Sequence, residues 1–321
     1  MKKIIKIILC CLIIFTFSGC TEEKENSAKT IKWNKENKLA DLVSYQIESI
    51  GKPQQISPDV ISQTYTYYKP QKETNVLLDL VMNITNLKDK DLDLQKKLTA
   101  SFKIKDEEYV CSIATLSDDG TSLIENGKIL GNNVSKVHFY AEINPKKLNQ
   151  QIEFVFSTTD DKPQSAILKF KLDEVNKNYQ TINLNELLTL DNYCEITFQA
   201  TNTLKEIAPA NPTGLYNCYK IENENNSYFD LTTTVKNISG DNIIASNIAL
   251  MRLIDEDGNE YPVNVFCENE SQSDLSEGNG TTIAVNQSMI VHFAFEIPDK
   301  IIEQQKTIRI IYQGKGYLLK L

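Results

Sequence analysis

The stretch Val137–Ile143 reads VHFYAEI and the stretch Val291–Ile297 reads VHFAFEI, and each contains one of the two histidines of this 321-residue chain. The two stretches lie 154 positions apart. A match of this kind around a rare residue indicates that one unit occurs twice in the chain.

The match extends upstream of the histidines. Residues Tyr67–Leu87 (YYKPQKETNVLLDLVMNITNL) align with Cys218–Ile238 (CYKIENENNSYFDLTTTVKNI) at an offset of 151, and Ile56–Pro58 aligns with Ile207–Pro209 at the same offset. Small drifts in offset are expected when loops change length between two copies of one domain. The sequence therefore predicts two tandem domains of the same fold.

Short segments rich in β-branched and aromatic residues recur through both copies and partly alternate between apolar and polar residues. Such segments, spaced roughly 8–15 residues apart, are typical of the strands of a β-sandwich. We predict an all-β fold with two tandem immunoglobulin-like β-sandwich domains. In the first copy the segments are Tyr45–Gly51, Asn75–Leu87, Leu98–Ile104, Glu107–Leu116, Ser135–Ile143, Ile152–Thr158 and Ala166–Leu172.

The first twenty residues have the pattern of a secretory signal. Three lysines precede an uncharged run from Ile7 to Phe17, and small residues lead to Cys20. Eleven helical residues cover about 16 Å, which is too short for a hydrocarbon core of roughly 30 Å. The sequence FSGC resembles the bacterial lipobox, which implies that Cys20 carries a lipid anchor. The open alternative is an ordinary cleaved signal and a freely secreted product.

These patterns predict the following division of the chain. A signal peptide occupies residues 1–19, and the lipidated Cys20 with a flexible, charged tether occupies residues 20–38. The first sandwich is predicted over residues 39–172, a linker over 173–186, and the second sandwich over 187–321. The anchor places the protein on the extracytoplasmic face of the bacterial cell membrane.

Charge limits the partners of the mature protein. Without the three signal lysines the chain has 31 basic and 43 acidic residues, a net charge of −12. A strongly acidic domain is a poor binder of nucleic acid. Arg252 and Arg309 are the only arginines, so the sequence offers no arginine cluster for phosphate. No nucleic-acid partner is expected.

The order of motifs resembles a known family. Each copy has I-x-P, a strand with tyrosine and lysine, D-L-x5-N before a loop, and F-x-(F/A)-E-I before a last pair of strands. This order is similar to that of the telokin-like, immunoglobulin-like domains of unknown function on lipoproteins of low-GC Gram-positive bacteria. It covers about Leu39–Leu172 and Leu187–Leu321. The resemblance implies an extracytoplasmic binding or adhesion role.

His138 and His292 occupy the same position of the two copies. Each alternates with the apolar residues of its strand, so we expect a half-exposed structural histidine that points away from the main core. The alternative is a general base, but no catalytic serine, cysteine or carboxylate motif accompanies either histidine. We expect no catalytic residues, no cofactor and no enzyme activity; a hydrolase is the alternative of another class.

Asp255, Asp257 and Glu260 lie in the segment DEDGNE and are candidates for a weak Ca²⁺ site. An EF-hand loop would need a glutamate where Phe266 stands. A glycine-containing hairpin turn explains the segment without a metal.

Asp79 and Asp230 each interrupt an apolar strand segment. An acid in such a position is either on the wet face of the sheet or paired. Lys69 and Lys220, which recur on the preceding segment, are the proposed partners. The alternative is that these acids contact a ligand.

The four cysteines beyond Cys20 are Cys111, Cys194, Cys218 and Cys267. An exported protein can form disulfides, and a Cys194–Cys218 bond is conjectured between the first two strands of the second domain. We expect instead that these four cysteines are buried free thiols.

Tyrosines cluster near the start of each copy. Tyr65 and Tyr68 recur as Tyr216 and Tyr219. Such residues can form a face that binds sugar or protein, or they can pack as a half-buried strand face.

We therefore expect a lipid-anchored, non-catalytic, extracytoplasmic binding or adhesion protein. Its partners would be the membrane, through Cys20, and an unidentified protein or envelope glycan. The main alternative is an accessory subunit of an envelope protein assembly that docks a partner strand on a sheet edge.

Overall fold

The structure is a computed structural model that describes residues 28–33, 35–59, 65–118, 120–177 and 179–321. The predicted signal peptide and Cys20 lie outside these residues. Within the described part of the chain, no helix is both long enough and apolar enough to cross a membrane.

The first sandwich, residues 29–170, consists of short strands and a single turn of α-helix. The helix α1 spans Leu94–Lys97 and is capped by Asp93, and a 3₁₀ turn spans Pro145–Lys147. The strands are β1 Lys29–Thr30, β2 Asn37–Leu39, β3 Val43–Gly51, β4 Val76–Asn86, β5 Leu92–Asp93, β6 Leu98–Ile104, β7 Glu107–Val110, β8 Ser112–Leu116, β9 Leu123–Glu125, β10 Lys128–Ile129, β11 Val134–Ile143, β12 Ile152–Thr158 and β13 Ser165–Phe170.

Two sheets face each other in this sandwich. One sheet has the strand order β1-β13-β12-β6-β7 and the other has the order β2-β3-β4-β11-β8-β9. Strand alternation places one face of each sheet in the core, as on β12, where Ile152, Phe154 and Phe156 are fully buried. Phe139 on β11 packs against Phe154 and Phe156 across the core, with ring centroids 5.8 and 5.4 Å apart.

The second sandwich, residues 180–320, repeats this series of elements. It also contains 3₁₀ turns at Ala245–Asn247 and Asp299–Ile301, and another turn, Leu172–Glu174, precedes it. Its strands are β14 Gln180–Asn183, β15 Leu187–Leu190, β16 Cys194–Leu204, β17 Glu206–Ile207, β18 Tyr219–Lys220, β19 Asn226–Asn237, β20 Ile243–Ile244, β21 Leu250–Ile254, β22 Glu260–Glu268, β23 Leu275–Glu277, β24 Thr282–Ile283, β25 Ser288–Pro298, β26 Thr307–Tyr312 and β27 Lys315–Lys320.

Strand β22 joins the two sheets of the second sandwich. Its first residues pair with β21 and its later residues pair with β25, so the strand order runs β14-β27-β26-β21-β22-β25-β19-β16-β15. In the first sandwich the corresponding stretch is broken at Cys111 into β7 and β8, one in each sheet. The prediction of an all-β sandwich fold is confirmed, and each sandwich has its own apolar core.

The predicted boundaries of the tether and of the linker are wrong. Lys29–Thr30 pairs in parallel with β13, and Ile31 is buried in the first core. Strand β14 pairs in the same way with β27 and buries Ile182 in the second core. Both segments are short and flanked by polar residues, so their apolar pattern is too brief to mark a strand.

The outer face of one sheet in each sandwich is also covered. The long connections after β3 and β16 fold back over this face and form small apolar clusters with it. Tyr68 stacks on Tyr140 in the first sandwich at 5.3 Å, and Tyr219 stacks on Phe266 in the second at 4.0 Å. Side chains that alternate with the core residues are therefore buried as well.

Candidate functional site

The two sandwiches meet where β3 ends. The backbone of Lys52–Gln54 runs beside the start of β22: Gln54 N donates to the Glu260 carbonyl at 3.1 Å, and Glu260 N donates to the Lys52 carbonyl at 3.2 Å. Lys52 Nζ also donates to the Asp257 carbonyl at 2.6 Å. Three residues of the first sandwich thus extend a sheet of the second, which fixes the junction through main-chain hydrogen bonds.

A buried ion pair lies directly under this junction. Arg309 on β26 binds Glu260 through two nitrogens, at 2.8 and 2.6 Å, and both side chains are nearly inaccessible. Arg309 also donates to the Ile50 carbonyl of the first sandwich at 3.3 Å. Gly51 leaves room for the Glu260 carboxylate, because a Cβ at this position would overlap it. Two parallel N–H···O bonds fix the orientation of both side chains in addition to pairing their charges.

Arg252, the other arginine of the chain, is also buried at the junction. Its guanidinium faces Asp59 and Asp79 of the first sandwich. Burial lowers the pKa of Arg252, and the charges of Asp59 and Glu260 oppose that shift. Both arginines therefore serve the contact between the sandwiches, and sequence analysis missed this role. The only feature of the sequence that set these two residues apart is that arginine is rare in a chain with many lysines.

A lysine with two carboxylates completes the charged layer. Lys136 on β11 contacts Asp59, and it lies 2.9 Å from Glu48 on β3. Burial opposes the charge of Lys136, but the two carboxylates outweigh it and raise the pKa of Lys136. The ion pair with Lys136 likewise outweighs burial for Asp59 and lowers the pKa of that carboxyl.

His138 lies next to this layer and is paired with Asp79. Their Nδ1 and Oδ2 atoms are 2.8 Å apart, and His138 is 3% exposed. A cavity of about 20 Å³, which has room for one water molecule, adjoins them together with Arg252 and Arg309. His138 Nε2 and Asp79 Oδ1 have no protein partner.

The second sandwich has the same pair with one more acid. His292 Nδ1 lies 3.0 Å from Asp230 Oδ2, and His292 Nε2 lies 3.3 Å from Glu268 Oε1. Burial opposes the charged imidazole, but the bonds to Asp230 and Glu268 outweigh it and raise the pKa of His292. Glu268 corresponds to Leu116 of the first sandwich.

Two expectations about these residues are wrong. Both histidines were expected to be half exposed, but the connections after β3 and β16 bury them. Lys69 and Lys220 were candidate partners of Asp79 and Asp230, but each acid pairs with the histidine of the neighbouring strand.

The two lysines contact other groups. Lys69 lies over the Tyr67 ring at 4.9 Å, and Lys220 pairs with Glu206 at 3.2 Å. The diagonal neighbours on adjacent strands supply the partners for both acids instead.

The tyrosines do not form one face. Tyr68 and Tyr219 pack over the outer faces of their sheets. Tyr65 accepts a hydrogen bond from Gln55 Nε2 at 3.0 Å and is half buried. Only Tyr216 of the four is largely exposed, at 42%.

Two of the three candidate metal ligands are already engaged with other side chains. Asp255 accepts hydrogen bonds from Asn259 and Tyr261, and Glu260 is held by Arg309. The described residues contain no group of three or more His, Cys, Asp or Glu side chains placed to hold a metal ion. The segment forms the turn between β21 and β22, in which Gly258 has a φ of +77°, so the hairpin interpretation is confirmed.

The conjectured disulfide is absent from the structure. Cys111, Cys194, Cys218 and Cys267 are free thiols, and only Cys218 is partly exposed. Cys194 lies in the core of the second sandwich, whereas Cys218 hydrogen-bonds Glu206 at the surface. The two thiols therefore lie in different environments.

A cleft of about 410 Å³ opens beside the junction. One wall is the end of β3 with Pro145, Leu148 and Asn149, and the other is the hairpin from Ile254 to Gly258. The lining is completed by the Arg309–Glu260 pair and by three residues of the segment that joins the sandwiches, Leu172, Asp173 and Asn176.

The chemistry of the cleft is mixed but acidic. Asp173, Glu256 and Asp257 contribute carboxylates, of which Glu256 also accepts a hydrogen bond from Gln305 N at 2.8 Å through Oε1. Lys52 and Arg309 are already bound to the Asp257 carbonyl and to Glu260. Pro145 adds some apolar surface, whereas Leu148 is 5% exposed and belongs to the core of the first sandwich. A ligand here would be held by donating hydrogen bonds to carboxylates, and the volume lies within the range of small-molecule sites, roughly 300–1,000 Å³.

Comparison with known proteins gives structural neighbours. No family model and no curated protein matches the chain. An uncharacterized β-sandwich protein from Clostridium difficile 630 is 20% identical, over 45% of this chain and 95% of that chain, with a TM-score of 0.41. A candidate lipoprotein from Bacillus subtilis is 14% identical, over 45% of this chain and 42% of that one, with a TM-score of 0.28.

Red sea bream transglutaminase is 7% identical, over 85% of this chain and 30% of that one, with a TM-score of 0.18. Similarities of this size carry no conclusion about activity, ligand or location.

Proposed function

We propose that the chain is a non-catalytic binding protein, anchored by a lipid on Cys20 to the extracytoplasmic face of the cell membrane, and that the cleft beside the junction holds its ligand. The observation that carries the proposal is the cleft itself, because ligand sites occur preferentially where two domains meet. Its lining includes a buried ion pair, and main-chain hydrogen bonds join the two sandwiches beside it, so the two sides of the cleft are held together before a ligand arrives.

The state of the reactive side chains supports a binding role. His138 and His292 are buried, and each is paired with a carboxylate. Burial raises the pKa of Cys194 and of Cys267 to about 12, which keeps both thiols protonated and poorly nucleophilic. The buried histidines and thiols therefore serve the stability of the sandwiches. The exposed polar side chains of the cleft are the groups that can contact a ligand.

The ligand class that fits best is a polyhydroxylated one, such as a fragment of an envelope glycan. Sugar hydroxyls donate to carboxylates, which the cleft supplies in Asp173, Glu256 and Asp257. The half-buried ring of Pro145 suits the carbon face of a sugar. The tether predicted after Cys20 would hold this site close to the membrane surface.

Calorimetric titration of the full-length protein in detergent with solubilised cell-wall glycan fragments tests the proposal. The wild-type protein should bind saturably, and the E256Q/D257N double variant should bind at least about tenfold more weakly, since two charged hydrogen bonds are lost. The D241N variant changes an exposed carboxylate elsewhere in the second sandwich and should bind as the wild type does. Equal affinities for both variants would contradict the cleft as the site.

The lipid anchor needs its own measurement. Cells fed a radioactive or alkyne-labelled fatty acid should label the wild-type chain, and C20A should abolish the label and release the protein from the membrane fraction. A C20A protein that stays labelled would contradict the assignment of the anchor.

A further inference from the structure

β3 and β16 are equivalent strands of the two sandwiches, but the surroundings of their last residues differ. β3 and β16 each pair with the long central strand of their sheet, β4 and β19. Each carries a bulge at the corresponding place, between Ile47 and Ser49 in β3 and between Phe198 and Ala200 in β16. The residues after the bulge are therefore equivalent, and their surroundings can be compared directly.

In the first sandwich the end of this strand is a docking element. Ser49, which is 4% exposed, lines the same small cavity as Arg252 and Arg309 of the second sandwich. Arg309 binds the Ile50 carbonyl, and the next residues pair with β22. A sandwich of the same kind thus occupies this edge within a single chain.

In the second sandwich the equivalent edge is open. β15 pairs only with Cys194–Thr197, and Asn185 N donates to the Phe198 carbonyl at 2.7 Å. Beyond that point, no strand of the described residues pairs with the outer side of Gln199–Leu204. Five of these six residues are exposed, and Leu204 keeps 38% of its surface.

This open edge lacks the side chains that normally protect one. Natural edge strands are guarded by charged residues, especially lysine, or by proline. Gln199–Leu204 reads QATNTL and contains neither. Six residues at 3.3 Å each span about 20 Å, enough for a short ladder.

We propose that Gln199–Leu204 pairs antiparallel with the same segment of a second copy of this chain. A two-fold symmetric pair brings each residue of one copy opposite the same segment of the other. The uncharged segment opposes no like charges, and Thr201, Asn202 and Thr203 can hydrogen-bond across the two strands. Lys205, the next residue, is already bound to Asp299 at 2.8 Å.

The position of β15 is compatible with this pairing. In an antiparallel pair centred on Thr201 and Asn202, β15 of each copy lies beyond Leu204 of the other. The short ladder predicts a weak dimer in dilute solution and a populated one where copies are concentrated on a surface.

Crosslinking of the full-length protein in intact cell membranes tests the proposal. The variant carries C218S, which removes the partly exposed thiol, and N202C at the centre of the segment. A short bis-maleimide should convert it to a covalent homodimer with a yield roughly tenfold or more above that of the matched T189C variant, since pairing sets the effective concentration of the second thiol. Thr189 is an exposed residue of β15, far from its counterpart in the proposed dimer.

Hydrogen exchange on the unmodified protein keeps the proposal testable if N202C fails to fold. The amides of Gln199–Leu204 should exchange more slowly in vesicles at a high protein-to-lipid ratio than at a low one. Crosslinking no stronger than that of T189C, crosslinking only to a different protein, or exchange that is independent of protein density would each overturn the proposal.

Discussion

Arg309 and Glu260 show how single residues define this molecule. Each has the other as its charged partner, and both are buried in the junction. A buried ion pair contributes little over an apolar pair of the same shape, but loss of one partner leaves an uncompensated buried charge. The junction therefore depends on both residues being present together.

Replacement of Arg309 by methionine should destabilise the protein by about 3–5 kcal/mol, because Glu260 would stay buried without its partner. Denaturant unfolding of the full chain measures this free energy. The K315M variant removes a lysine that pairs with Asp191 in solvent and should leave the unfolding midpoint nearly unchanged. A loss of stability for R309M no larger than that for K315M would show that the ion pair does not support the junction.

His292 should make stability depend on pH. Its pKa is raised in the folded protein, so the charged form contributes stability that is fully present below the unfolded pKa of about 6.5 and is lost as pH rises through the folded value. The free energy of unfolding of the wild type minus that of H292N should therefore fall as pH rises above about 6.5. An NMR titration that places the pKa of His292 below 6.5 would contradict the assignment.

The thiols should differ in reactivity. Cys218 is the only partly exposed cysteine among the described residues, so a maleimide should modify it in the native protein. Cys111, Cys194 and Cys267 should react only after unfolding. Mass spectrometry after timed labelling counts the modified thiols, and a native Cys194–Cys218 disulfide would appear as two thiols that stay unreactive in denaturant until a reductant is added.

At the scale of strands, the alternation of apolar residues was a sufficient guide to the cores. The segments around Phe139, Phe154 and Phe293 each became a central strand with the predicted residues inward. The outward residues were harder to place, because their burial depends on the connections after β3 and β16, which have no strand pattern. His138, Asp79 and their counterparts could be singled out from the sequence as polar residues in apolar strands. Their burial and their pairing with each other could not be predicted, because both depend on these connections and on the strand register.

The junction itself could not be predicted from the sequence. Lys52, Glu260 and Arg309 are separated by up to 257 positions, and each is an unremarkable surface residue type until the sandwiches are placed against each other. The acidic hairpin was predicted as a candidate metal site, whereas in the structure Glu260 is bonded at this contact and Asp257 lines the cleft.

Gly51 shows how tightly β3 and β22 approach each other. A Cβ at this position would overlap the Glu260 carboxylate, whereas a Cβ at Gly240 would meet nothing within 4 Å. G51A should therefore lower stability by about 1–3 kcal/mol through overpacking, and G240A should be nearly neutral. Calorimetric melting of both variants makes the comparison, and equal melting temperatures would show that the strands separate without cost.

At the scale of the whole molecule, the two sandwiches and their cleft form the unit that we propose binds a ligand. Both arginines, a single main-chain β-bridge between Pro53 and Glu260, and a charged layer hold the sandwiches together. This arrangement fixes the cleft walls, and the open edge of the second sandwich lies on β16, away from the residues that line the cleft.

Site-specific photocrosslinking in intact cells tests the cleft as the ligand site, with a photoreactive residue at Asn149 in the cleft or at Asp241 outside it. We expect a discrete adduct of envelope glycan from position 149 and none from position 241, identified by mass spectrometry of the recovered protein. The same adducts from both positions, or none from position 149 in a protein that is folded and membrane-bound, would contradict the cleft as the binding site.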